Sequence, residues 1–182
     1  MRAVVYGVSL GLLLAAPIMG AEKVRLVDLE VGLEGSRVEV GFRLVNGFTD
    51  ELVENIQSGL PSGFTFDIRL SANRKGWFDN NVGAFRLQVV AMYNAVTREY
   101  LVNFKHDGKL VDSRVVRDLE ELERVMTRFE KIPAFNLGDY GGRRKLQVRA
   151  RAELGSRNIL YFIPSKVTTD WRQSRKFQPP TD

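Results

Sequence analysis

The sequence predicts a mainly β protein, an antiparallel β-sandwich of seven to eight strands with two inserted helices. Three observations carry that prediction. Short runs of apolar residues alternate strictly with polar ones, tight-turn residues separate the runs, and the apolar period lengthens to a helical one at only two places.

The alternation begins at Val27, Leu29, Val31 and Leu33, breaks at Glu34-Gly35-Ser36, and resumes at Val38, Val40, Phe42 and Leu44, which describes a hairpin. Thr49 then caps a short helix. Its first turn carries Asp50 and Glu51, its buried side Leu52, Val53 and Ile56, and Gly59 with Pro61 marks its end. At about two and a half turns this helix needs a core to lean on. In the next strand Phe64, Phe66, Ile68 and Leu70 share one face while Asp67 and Arg69 face away.

Ala72 to Asn81 is a polar, turn-rich loop bearing Trp77 and Phe78, a candidate contact loop. Phe85, Leu87, Val89, Ala91 and Tyr93 form the clearest strand, and Asn94 to Thr97 turns it toward a partner carrying Tyr100, Val102 and Phe104. Asp107-Gly108 makes a further tight turn into a strand from Lys109 to about Val116. The period then changes. Asp118 with Glu121 opens an amphipathic helix with Leu119, Leu122, Val125, Met126 and Phe129 on one side, and Pro133 is expected to stop it. After the glycine-rich run Leu137 to Gly142, a long strand from Arg144 to Leu154 sends Leu146, Val148, Ala150, Ala152 and Leu154 inward and Lys145, Gln147, Arg149 and Arg151 to water. Ile159 to Ile163 is a last short strand, and the remainder is a polar tail apart from Val167, Trp171 and Phe177. Alternation identifies inward faces without counting sheets, so one strongly curved sheet around the longer helix is the alternative architecture.

Residues 1–21 read as a signal peptide: Arg2 precedes the apolar run Val4 to Ala16, and Gly20 and Ala21 lie before charged Glu22 and Lys23. The expected location is the periplasm or outside the cell, with an uncleaved leader acting as a tether as the alternative. Residues 22–182 form one domain, large enough to bury a core without staples. The chain holds 27 Lys and Arg against 22 Asp and Glu; loss of the leader removes Arg2 alone and leaves 26 against 22, a formal charge of +4. There is no cysteine. A thiol nucleophile, thiolate metal ligands and disulfides are thereby excluded.

At Phe42-Arg43-Leu44, the capped helix, Ser58-Gly59-Leu60-Pro61, the strand Phe64 to Leu70 and, most specifically, the run Tyr93 to Tyr100, the chain resembles the uncharacterised bacterial envelope proteins of domain-of-unknown-function family 4390. The resemblance covers nearly all of the chain after the leader. It implies an exported leader, this segment order, an aromatic in the loop that Trp77-Phe78 matches, and an aromatic near the C-terminus that Trp171 matches. It implies no activity, substrate or catalytic residue.

The residues themselves name no catalytic group. His106, the single histidine, stands before a turn, no serine after the leader sits in a Gly-x-Ser-x-Gly elbow, and no carboxylate spacing forces a pair together. No cofactor and no metal centre are expected. The strongest electrostatic feature is the basic run Arg143, Arg144 and Lys145 continued by Arg149 and Arg151, suited to an acidic protein surface, an anionic lipid or an acidic glycan. The candidate binding residues are therefore Trp77, Phe78, Arg149, Arg151, Trp171 and Arg172. The expected function is a non-enzymatic protein-binding or scaffold domain of the cell envelope, with an envelope protein as partner and no nucleic acid; the alternatives are an envelope-polymer hydrolase and a peripheral binder of anionic membrane surfaces.

Overall fold

Side-chain alternation builds the first hairpin from β1 (Arg25–Glu34) and β2 (Arg37–Val45), closed by a two-residue turn in which Gly35 takes φ 58°. The computed structural model describes residues 22–72, 80–138, 145–155 and 167–179. On β2 the inward residues Val38, Val40, Phe42 and Leu44 are each no more than 4% exposed. The chain then enters α1 (Asp50–Gln57), whose first turn is closed by the Thr49 Oγ1, which accepts from the Leu52 amide at 3.3 Å. Leu52 and Ile56 bury its apolar side against the next two strands.

Those strands are β3 (Ser62–Ala72) and β4 (Asn80–Asn94), followed by β5 (Glu99–His106) and β6 (Lys109–Val116), an antiparallel meander. Then α2 (Leu119–Thr127) starts on Asp118, whose Oδ1 accepts from the Glu121 amide at 2.8 Å, and it buries Leu122 and Met126 completely. Leu119, expected on the buried stripe, is 40% exposed.

The helix does not continue to Pro133. It stops at Thr127, and Arg128–Asn136 is β7, paired with β2. Two register irregularities re-phase this strand, with Lys131 at φ 50°, so its apolar residues follow no clean alternation, and Phe129 fits a helical stripe as well as a strand. Pro133 is tolerated because β7 is an edge strand of the small sheet and one of its register irregularities falls beside this residue. Finally β8 (Leu146–Gly155) pairs along the free side of β3 with Leu146, Val148, Ala150 and Ala152 fully buried.

Two sheets result. A three-stranded sheet has the order β1-β2-β7, and the larger one runs β8-β3-β4-β5-β6. Phe66 of the large sheet joins them, its ring 5.0 Å from Phe42 and 5.1 Å from Phe129 of the small sheet. The curved single sheet is thus replaced by a sandwich with helical insertions.

The polar tail joins the large sheet. Its short strands β9 (Val167–Thr168) and β10 (Arg172–Gln173) pair with β8, and Phe177 exchanges two backbone hydrogen bonds with Leu146. Between them hydroxyls substitute for ladder carbonyls: Ser174 Oγ accepts from the Val148 amide at 3.0 Å, and Thr169 Oγ1 from the Ala152 amide at 2.9 Å. The amides that β8 would otherwise present to water are satisfied, which closes this edge. The expected leader over 1–21, the Trp77-Phe78 loop, most of the glycine-rich run with Arg143 and Arg144, and the expected strand Ile159 to Ile163 lie outside the described residues.

Candidate functional site

The outer face of the large sheet is polar because β3, β4 and β8 all send their apolar residues inward. Strand register then decides which polar groups meet. Asp67 of β3 stands opposite Arg86 of β4 on one side and Arg151 of β8 on the other. Arg86 Nε donates to Asp67 Oδ1 at 3.0 Å, while Arg151 Nε and Nη2 donate to Oδ2 at 3.1 and 2.9 Å. Although Asp67 faces away from the core, it is only 7% exposed, covered by its two arginines. Burial pushes its pKa up, but the hydrogen bonds and charges of Arg86 and Arg151 outweigh burial and hold it below the usual carboxylate value. Arg86 is raised in turn, chiefly by its hydrogen bond to Asp67.

Two residues along, Arg69 of β3 lies directly opposite Arg149 of β8. Like charges in register repel. Among the described residues neither forms an ion pair; both instead lie against the indole of Trp171, with guanidinium carbons 4.9 Å (Arg69) and 5.6 Å (Arg149) from the ring centroid. Arg151 approaches the same ring at 4.7 Å. The tail carries Trp171 there because β10 pairs Arg172 with Ala150 and Gln173 with Arg149. The Arg149 Nε is buried and has no hydrogen-bond partner. Beside this cluster, a depression of about 520 Å³ lies between β3 and β4, lined among others by Asp67, Arg69, Arg86 and Asp107.

Of the residues singled out from sequence, Arg149, Arg151 and Trp171 therefore converge on one spot. Arg172 follows Trp171 on the tail and is exposed. Trp77 and Phe78 lie outside the described residues. Asp67, Arg69 and Arg86 were missed as members of the site; alternation gives the outward direction of Asp67 and Arg69, but only the register of β3, β4, β8 and the tail strand β10 brings all six side chains together.

A second depression, about 620 Å³, lies on the small sheet and is lined by Asp28, Glu39, Gly41, Arg43, Arg128 and Lys131, among others. Bulges in β1 and β7 flank it, with Asp28 at φ 53° and Lys131 at φ 50°. Its charges are mixed, and Arg43 Nη2 is already held by Asp28 Oδ2 at 2.9 Å. His106 ends β5 rather than standing free in the turn: its ring lies edge-on to Phe85 at 4.6 Å, and its Nε2 is buried, 3.8 Å from Asp107. Among the described residues no group of three or more His, Asp or Glu is placed to hold a metal ion, and no helix is long and apolar enough to cross a membrane.

The family profile described as Domain of unknown function (DUF4390) matches residues 21–159. Among curated proteins, the amino-acid acetyltransferase of Buchnera aphidicola subsp. Schizaphis graminum is 25% identical over 103 residues, covering 57% of this chain and 23% of that protein's length. The chain thus spans about a quarter of the curated relative it matches. No solved structure matches.

Proposed function

This chain belongs to the DUF4390 family, and we propose that it is a non-enzymatic binding domain of the bacterial cell envelope, exported by residues 1–21, which docks an acidic protein partner on the outer face of its large sheet. The observation that carries this reading is the trio of guanidiniums around Trp171. Only Arg151 has its charge answered by Asp67; Arg69 and Arg149 stand opposite each other and are left for an anionic group to bridge. Arginine and tryptophan are the side chains that most often anchor interfaces, because each combines a large contact area with directed polarity. The mechanism is surface complementarity, with no bond made or broken.

A hydrolase that used Asp67 as its general acid would need that carboxyl group to hold a proton near neutral pH. Asp67 is displaced the opposite way, which suits a permanent counter-ion. The acetyltransferase likeness covers too little of that enzyme to bring its activity here. Photo-crosslinking from residue 172 in cells that natively make the protein tests the proposal. The expected result is a discrete partner with an acidic surface, captured by the wild type and lost in the Arg69→Glu/Arg149→Glu variant, whose fold is checked by circular dichroism and a cooperative melt. Equal capture by a folded variant would sink the reading. Salt-sensitive sedimentation with anionic vesicles, abolished by the same double substitution, would replace the protein partner by a lipid surface.

A further inference from the structure

The large sheet has one sealed edge and one open edge. The tail covers β8, whereas β6 ends the strand order with no strand beyond it among the described residues. Every residue of β6 except Val116 is exposed. Three of the eight large apolar side chains exposed among the described residues lie on this one strand: Leu110 at 60%, Val111 at 59% and Val115 at 59%. An uncovered edge bearing apolar side chains is a template for another strand.

The strand is complementary to itself. When two copies are laid antiparallel with Ser113 opposite Ser113, Asp112 of each falls opposite Arg114 of the other, Val111 opposite Val115, and Leu110 opposite Val116. A slide of two residues sets Asp112 on Asp112 or Arg114 on Arg114, and a slide of one puts each charge opposite an uncharged residue. Within one chain the two charges already meet, Arg114 Nε lying 3.0 Å from Asp112 Oδ2, so pairing extends an existing exposed ion pair into a four-charge alternation. The single like-charge match, Lys109 with Arg117, falls at the ends of the seam, where Arg117 is held by Glu99 at 3.1 Å. Val111 is the bulged residue, between the Phe104–Asp112 and Lys105–Leu110 pairs, so regular pairing centres on Asp112, Ser113 and Arg114, and the Leu110–Val116 match lies beyond the bulge.

We infer that β6 is the seam of a symmetric homodimer, in which two copies join their large sheets by antiparallel β6 pairing centred on Ser113. Because the opposite edge is covered, the twofold contact closes at two chains and does not propagate into a fibre. This inference stands on the β6 edge and is independent of the binding face around Trp171.

The absence of cysteine from the chain makes the test clean. In an antiparallel pair, directly opposed Cα atoms lie about 4.5–5.5 Å apart, within the span a disulfide bridges. Ser113→Cys should therefore oxidise to a covalent dimer at least about tenfold faster than Val96→Cys, which sits on an exposed turn away from the seam, because pairing raises the local thiol concentration. Sedimentation equilibrium of the unmodified protein from about 1 µM to about 500 µM should show a monomer–dimer equilibrium. Asp112→Arg or Arg114→Asp alone should abolish the dimer, and the two combined should restore it, with thermal melts confirming that each variant folds. A protein monomeric throughout that range, equal crosslinking of the two cysteine variants, or a dimer indifferent to the charge reversals would overturn the inference.

Discussion

Asp67 and Arg151 face each other across β3 and β8, and two nitrogens of the guanidinium donate to the same carboxylate oxygen at 2.9 and 3.1 Å. The other oxygen is taken by Arg86, so the carboxylate is fully engaged as an anion on the outer face. This fixes Arg151, and with it one edge of the Trp171 ring.

Replacing Asp67 should cost stability in a pH-dependent way. Its pKa is lowered on folding, so its contribution is present above the ordinary carboxylate value and is lost as pH falls through the lowered folded value, below about pH 4. Asp67→Asn should lower the unfolding free energy by about 2 kcal/mol near neutral pH, as expected for charged hydrogen bonds. Urea denaturation of both proteins near pH 7 and pH 3 checks this: the gap should narrow markedly in acid, and a gap of constant size would assign the effect to packing instead.

Phe66 holds the two layers together. It is fully buried, with Phe42, Phe129 and Phe64 at 5.0, 5.1 and 6.1 Å. Phe66→Ala should cost about 3–5 kcal/mol through lost burial and an unfilled cavity, whereas Phe66→Leu should cost less than half of that. Denaturant midpoints at unchanged slope would measure both. Similar losses for the two would mean that the aromatic geometry outweighs the volume.

The sandwich was legible where side-chain alternation was unbroken, as in β2, β3, β4, β5 and β8, and both helix starts were legible from Thr49 and Asp118. It was illegible at β7, because bulges destroy the period that marks a strand and Pro133 reads as a stop signal. The tail strands were hidden for a different reason: a two-residue strand carries no period, and the hydroxyls of Thr169 and Ser174 reveal their role only beside β8. The site was half visible. Arg149, Arg151 and Trp171 could be named from their basic and aromatic character, but Asp67, Arg69 and Arg86 join them only through strand register, which one sequence does not specify.

Gly63 marks a close crossing between β3 and β4. A Cβ built there would lie 1.9 Å from the Val89 carbonyl oxygen, and the obstacle is backbone that cannot swing aside. Gly63→Ala should therefore destabilise the protein by about 1–3 kcal/mol, the usual cost of overpacking. By contrast, Gly155→Ala on β8 meets nothing within 4 Å and should change the melting temperature little. Thermal melts of the pair test whether the close crossing, rather than glycine loss in a strand, sets the cost.

Trp171 tests whether the arginine face is built for a ligand or only packed. The ring separates charges that the register forces together, and each cation–π contact contributes about 0.5–1 kcal/mol at exposed sites. Trp171→Ala should remove about 1–2 kcal/mol of stability, and Trp171→Phe should recover part of it because a smaller aromatic face remains. Without the ring, Arg69 and Arg149 repel across a gap that water and salt can enter, so the Ala variant should gain more stability than the wild type when salt rises to about 0.5 M. Urea titrations of the three proteins at low and high salt measure the difference. An equal salt response in all three would mean that the two guanidiniums are not electrostatically coupled through the indole, and that Trp171 serves only to fasten the tail to β8.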